Sequence, residues 1–445
     1  MAAGDNGALA RAVARSESVA ALKIGRGALD GTGRIWRAVL GDRPALILAD
    51  DNTWGAAGAG VEAALAAAGV AHRRLILPGR PRVKPTRELG EEIAARIEGE
   101  ETLLALGSGV LNDLAKYAAF VRDRRYLCVA TAASMDGYTS GGSPLSDKGF
   151  KITIPCRPPV AVIGDLDVIA AAPAEMAGWG YGDLAGKVPA GADWIVADAL
   201  GIEPVDDTAW PMVQDRLRGW LAAPEAIAGG QFEAISGLFE GLALVGLAME
   251  AHGSSRPASG ADHQIAHLWE MENLTLAGER VSHGACVAVG CVAALRLYDW
   301  LIAQDLGALD VGAALAARPS PEAVQAEIAR AFPDPGVAAR AAEETAAKAL
   351  ETRALRARLD RLRQVWPELR ARLGAQVIPA DEMAAMLRCA GAPAAPGEIG
   401  ITQAKLRETV AAARFLRRRY TVLDLLDEAG LLSAALDACF GEETA

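Results

Sequence analysis

Residues 102–117 read TLLALGSGVLNDLAKY, and the fold class turns on how this stretch is read. A short unbroken apolar run stops at Gly107-Ser108-Gly109, and apolar residues then recur at helical spacing from Val110. A run this short, ended by glycine, is a buried strand that feeds a helix through a tight turn. Glycines there let a backbone approach a phosphate closely, and the first helical turn offers N–H groups to an anion. The spacing is not GxGxxG, so the turn taken alone is equally a plain strand-to-helix connection.

The pattern repeats on both sides. Upstream, ALILAD (45–50) and RRLILPG (73–79) read as strands, and GAGVEAALAAAG (58–69) and TRELGEEIAARIEG (86–99) as helices ending on glycine. Downstream, VLNDLAKYAAFVRD (110–123) reads as a helix and RYLCVATAA (125–133) as a strand. Such alternation implies a parallel sheet with right-handed crossovers, whose ligands bind beyond the carboxyl ends of the strands. Asp50, at the end of the first strand read, is a candidate for ribose hydroxyls, and equally a loop aspartate.

From about residue 170 the strand signals fade. Helical patterns fill 225–253, 287–307, 320–332, 336–366 and 402–432. The expected architecture is an α/β Rossmann-like nucleotide-binding domain over 1–168, followed by an all-α metal- and substrate-binding domain over 169–445. Segment 305–380 reads only as helix.

Bulk properties narrow the function classes. The 445 residues are 51% hydrophobic and 23% charged, ordinary for a globular chain with a sizeable core. A net charge of −11 disfavours phosphate backbones, so no nucleic-acid partner is expected. The basic stretches RLRQVWPELRARL (361–373) and RFLRRRY (414–420) alternate with apolar positions and read as solvated helix faces. Six cysteines at 128, 156, 286, 291, 389 and 439 form no CxxC pair and read as reduced and buried. The N-terminus lacks an apolar signal core, and no uninterrupted apolar run reaches membrane-spanning length. A cytoplasmic chain without a membrane span is expected.

Chemistry concentrates in a few positions. The chain has five histidines, and GADHQIAHLWEM (260–271) sets His263 and His267 four apart. On a helix these share one face, roughly 6 Å apart. His283 follows in VSHGACVAVG. In WGYGDLAGK (179–187), Asp183 and Lys187 are four apart amid apolar and glycine-rich flanks. A surface ion pair is one reading; a buried carboxylate, which requires a cation or metal, is the other. A lone histidine is more often a satisfied core residue than a ligand, but the clustering favours a metal site. One carboxylate with two or three imidazoles suits Zn²⁺, Fe²⁺ or Ni²⁺.

Seven pieces carry a resemblance: GSGVLNDLAKY, ATAASMDGYTSGGSPL, GFKITIP, GYGDLAGK, SSRPASGADHQIAHLWEM, SHGACVAVG and RRRYTVLDLL. In this order and spread over most of the chain, they resemble the sn-glycerol-1-phosphate dehydrogenases, within the iron-containing alcohol dehydrogenase and glycerol dehydrogenase superfamily. The resemblance implies a dehydroquinate synthase-like architecture. It also implies hydride transfer between NAD(H) or NADP(H) and a metal-polarised carbonyl, interconverting dihydroxyacetone phosphate and sn-glycerol 1-phosphate.

Residue by residue, Asp183, His263 and His283 match the metal ligands, for one Zn, Ni or Fe ion. His267 matches the histidine near nicotinamide and substrate, a candidate proton donor. Asp136 matches the aspartate that reaches the substrate hydroxyls. Gly107, Ser108 and Gly109, with Asp113 in the same segment, match the pyrophosphate loop. Thr131 and Ser134 match the cofactor-side loop, and Asp50 the adenosine ribose acid. Lys151 and Arg256 are the expected phosphate partners of a phosphorylated triose or polyol. Asp262 and Ala285 depart from the glutamates common in the family, which alters hydrogen bonding around the metal ligands. A homo-oligomer is implied. The competing expectations are a polyol dehydrogenase on an unphosphorylated substrate, a dehydroquinate synthase-like lyase, and a non-catalytic NAD- and metal-binding sensor.

Overall fold

The computed structural model describes residues 6–147 and 150–441. The chain folds as two compact units, each assembled from separated segments. The first takes residues 1–184, 208–257 and 389–392; the second takes 185–207, 258–388 and 393–445. The alternation read from sequence placed a single boundary at 168/169. The segment 208–257 falls instead in the first unit: its apolar helix Phe232–His252 packs there beside the helices Asn6–Arg15 and Ala209–Leu221.

The first unit is built on strands β1 (Ala21–Gly25), β2 (Ala45–Asp50), β3 (His72–Leu77), β4 (Thr102–Gly107), β5 (Leu127–Ala130) and β8 (Ala161–Asp165), with a hairpin of β6 (Ser143–Asp147) and β7 (Phe150–Ile154) between β5 and β8. The six strands pair in the order β1-β8-β5-β4-β2-β3, and every pairing is parallel. From β2 the chain steps to β3 on one side, then returns to build β4, β5 and β8 on the other. The order reverses between β2 and β4, where ligands of doubly wound sheets bind. Central strands are apolar throughout because both faces are covered: Ile47, Leu104, Leu106, Val129 and Ile163 form one core with Trp36 and Val61 of flanking helices.

Four of the six sheet strands coincide with the runs read from sequence. Edge strand β1 escapes because ALKIG is only half-buried and carries Lys23. β8 escapes because AVIGD is short and runs straight into the helix Leu166–Ala170. The helix after β2 starts earlier than its apolar spacing suggests, at Asp51, because Asp50 and Thr53 form a capping box.

The second unit is helical apart from a hairpin of Thr275–Leu276 and Glu279–Arg280. Its centre is the helix His283–Ala303, buried over most of its length. Segment 305–380 now has a place: helix Thr352–Gln376 turns a Leu/Trp stripe inward, and its Arg372 and Gln376 bond Asp198 and the Val188 carbonyl of the helix Lys187–Ala199. The stretch 336–366 divides into two helices, Pro335–Ala346 and Thr352–Gln376.

Two expectations need correction, and a third feature bears on the absence of a membrane span. RFLRRRY is no helix face: the helix stops at Ala413, Arg414 is buried and pairs with Glu327, and Arg418 pairs with Glu344. Of the six free thiols, Cys389 is exposed and Cys439 half-buried, because both lie at the ends of surface helices. Finally, Phe232–His252 and His283–Ala303 are long and apolar enough to cross a membrane by length and composition. In the fold, 61% and 78% of those windows are buried, so they serve as core helices of their units.

Candidate active site

In the first unit, the candidate nucleotide residues gather at the carboxyl edge of the sheet, around the switch between β2 and β4. Asp50 ends β2 and spends Oδ1 on the Thr53 N–H (2.8 Å), so its first duty is to cap a helix. Gly107 ends β4, and Ser108 is the N-cap of the helix Gly109–Val121 without a side-chain cap bond. The Thr131 N–H donates to the Gly107 carbonyl (3.2 Å), which ties the loop after β5 to the glycine turn. Thr131, Ser134 and Asp136 lie buried along that loop.

Buried polar residues of the helix Gly109–Val121 hold the loop in place. Asn112 donates to the Gly137 carbonyl (3.1 Å), and Lys116 donates to the carbonyls of Gly137 (3.2 Å) and Gly142 (3.0 Å). Asp113 lies 3.6 Å from the Lys116 ammonium, so it balances that buried charge.

Asp183, on the helix Ala174–Ala185, is fully buried and accepts the Asp136 N–H on Oδ2 (2.9 Å). The close approach of this helix to the loop depends on Gly180, where a Cβ would sit 2.0 Å from the Ala133 carbonyl oxygen. Gly180→Ala forces the backbones apart. We expect it to cost about 1–3 kcal/mol, read as a lowered Tm, with a steeper loss of turnover as Asp136 and Asp183 shift. Wild-type turnover would refute this account of the contact.

Arg256 is wholly buried. Lys151 lies in β7, and its side chain falls outside the described residues.

The second unit brings the three histidines together. His263 and His267 project from the helix Ala261–Met271, and His283 opens the helix His283–Ala303 behind its N-cap Ser282. The ring centroids are 5.9 Å (His263–His267), 5.4 Å (His263–His283) and 5.8 Å (His267–His283) apart. The helices can approach because residue 290 is glycine: a Cβ there would meet the Asp262 carbonyl oxygen at 2.4 Å.

Each imidazole has a carboxylate on Nδ1. His263 meets Asp262 Oδ2 at 2.5 Å, His267 meets Glu270 Oε2 at 2.8 Å, and His283 meets Glu270 Oε1 at 2.6 Å. An ionised carboxylate only accepts, so Nδ1 carries the hydrogen and Nε2 the lone pair. An imidazole backed by a carboxylate on Nδ1 and presenting Nε2 is a competent ligand for a divalent metal. The residues present therefore fit such an ion.

Two residues here were not read from the sequence. Glu270 stands three after His267, and the i,i+3 spacing within HLWE was its only signal. Asp193 gave none. Fully buried, it accepts from the Ala261 N–H (2.7 Å), the Val422 N–H (2.7 Å) and the Tyr298 hydroxyl (2.6 Å). It thereby anchors the start of the histidine helix, and Arg419 adds a bond to the Ser259 carbonyl just before it (2.7 Å).

Known proteins share this organisation. Residues 23–173 match the iron-containing alcohol dehydrogenase family. Glycerol-1-phosphate dehydrogenase [NAD(P)+] of Bacillus subtilis (strain 168) is 36% identical over 266 residues, 59% of this chain and 67% of the relative. The Bacillus licheniformis protein of the same name is 30% identical over 336 residues, 76% of this chain and 70% of its own. Glycerol dehydrogenase from Schizosaccharomyces pombe superposes with a TM-score of 0.61 over 95% of this chain and 89% of that one; at 17% identity it shows the shared fold. The chain belongs to the glycerol-1-phosphate dehydrogenase family.

Proposed function

We propose that this chain is a metal-dependent NAD(P)H oxidoreductase that interconverts dihydroxyacetone phosphate and sn-glycerol 1-phosphate. Within the family, the observation that carries the reading is the triangle of imidazoles, each with a carboxylate on Nδ1. Asp183, His263 and His283 hold one divalent ion, for which zinc, nickel and iron all tolerate these donors. When bound, the ion supplies Lewis acidity toward the substrate carbonyl, and the nicotinamide supplies the hydride.

The remaining work falls to the chain's own residues. Gly107, Ser108 and Gly109 receive the pyrophosphate at the helix N-terminus. Thr131 and Ser134 line the nicotinamide side. Asp50 faces the ribose and, as an acid, repels a 2′-phosphate, which favours NADH over NADPH. Asp136 takes the substrate hydroxyl. His267, fixed by Glu270 on Nδ1, takes a proton onto Nε2 from the substrate hydroxyl in oxidation and, as the imidazolium, returns it to the developing alkoxide in reduction. Arg256 and Lys151 compensate the substrate phosphate.

The test is nicotinamide oxidation by dihydroxyacetone phosphate, and separately by dihydroxyacetone, on metal-stripped enzyme refilled in turn with Zn²⁺, Ni²⁺ and Fe²⁺. Metal-dependent turnover of the phosphate ester alone is expected. Preference for the unphosphorylated ketone would make the chain a polyol dehydrogenase. No oxidation of either would sink the dehydrogenase reading.

A further inference from the structure

We propose that Glu270 is a positioning residue that sets the tautomer of two imidazoles at once, those of His267 and His283. The inference rests on the reading of His283 as a metal ligand and extends it to the carboxylate that backs that ring on Nδ1.

The geometry is specific. Glu270 follows His267 by three residues on the same helix, so the two share a face. Its two oxygens are divided between helices: Oε2 accepts from His267 Nδ1 (2.8 Å), and Oε1 accepts from His283 Nδ1 (2.6 Å). The Glu270 side chain is only 9% exposed, so little water reaches its carboxylate and the two imidazole N–H groups are short-range partners of its charge. His267 and His283 stand nearly parallel, 24° between ring planes. A single acceptor-only group therefore obliges both rings to carry hydrogen on Nδ1 and to present Nε2. The usual arrangement gives each ligand its own partner. Here one carboxylate couples a metal ligand to the proton-carrying histidine, so retention of the ion and proton delivery depend on the same side chain.

Glu270→Gln separates this role from packing. The amide keeps the shape, and its oxygen still accepts from one ring. Its NH₂ can only donate, so the other ring must turn Nδ1 into an acceptor and place hydrogen on Nε2. That ring can then no longer ligate, or no longer accept a proton, through Nε2. Loss of such a partner typically weakens metal binding or activity about 10–100-fold.

The experiment loads metal-stripped wild type and E270Q with Co²⁺. Chelator competition gives affinity, the visible absorption bands report the ligand field, and kcat and KM for dihydroxyacetone phosphate are measured alongside. E270Q is expected to fold normally, bind Co²⁺ about 10–100-fold more weakly with altered bands, and lose kcat more than KM. Wild-type affinity, bands and kcat in a folded E270Q would overturn the proposal. Should E270Q fail to fold, ¹⁵N-histidine NMR of the metal-free wild type decides instead: hydrogen on Nδ1 of both rings supports the role, and hydrogen on Nε2 of either refutes it. A wild type that takes up no Co²⁺ sinks the metal reading itself, and the tautomers still decide on Glu270.

Discussion

His263→Ala is expected to strip the protein of its divalent ion and to lower kcat/KM with dihydroxyacetone phosphate by on the order of 10³-fold. The imidazole sits at the corner of the triangle closest to His283, with ring centroids 5.4 Å apart, and Asp262 fixes it on Nδ1. A Lewis acid at a developing alkoxide is worth several kcal/mol, and about 4 kcal/mol corresponds to that loss. His263 is only 5% exposed, so water cannot readily replace the ring as a ligand. Metal content after dialysis and steady-state rates check the outcome together. A variant that keeps stoichiometric metal and turns over normally would remove His263 from the ligand set. One that keeps its metal but loses turnover would make it a substrate-side group.

The second large effect concerns stability. Asp193→Ala should destabilise the helical unit by about 3–5 kcal/mol, since each of the three donors at Asp193 loses a buried acceptor at roughly 1–3 kcal/mol. Two of them start helices, Ala261–Met271 and Val422–Glu428, and the third, Tyr298, belongs to the central helix. A fall in Tm of about 10 °C follows for a unit of this size, readable by calorimetry. Tyr298→Phe removes one bond only and should cost about 1 kcal/mol. A fall of under about 3 °C in the alanine variant would mean that other groups satisfy the three donors.

The architecture was legible where burial leaves a compositional trace. β2, β4 and β5 are covered on both faces and read as apolar runs, whereas β1 hides behind Lys23 and half-burial. Helix ends were less legible, because caps such as Asp50 with Thr53 act through one side chain and not through periodicity. The histidine cluster was visible because the residue type is rare and the spacing helical. Glu270 was within sight in the same stretch, but a glutamate on a helix carries little information until its partners are known. Asp193 could not be read at all: its partners lie 68, 105 and 229 residues away in the chain. Buried carboxylates that join distant segments leave no local pattern.

That contrast in separation has a consequence for how the site assembles. The imidazoles and Glu270 fall within one short span, two helices joined by the tight hairpin at 275–280, with His283 only 13 residues beyond Glu270. Closing so short a loop costs little chain entropy, and contacts of this kind form early and fast. The bonds of Asp193 to Tyr298 and Val422 close loops many times longer and form late. The imidazole cluster is thus an early-folding element, and Asp193 is the latch that closes behind it.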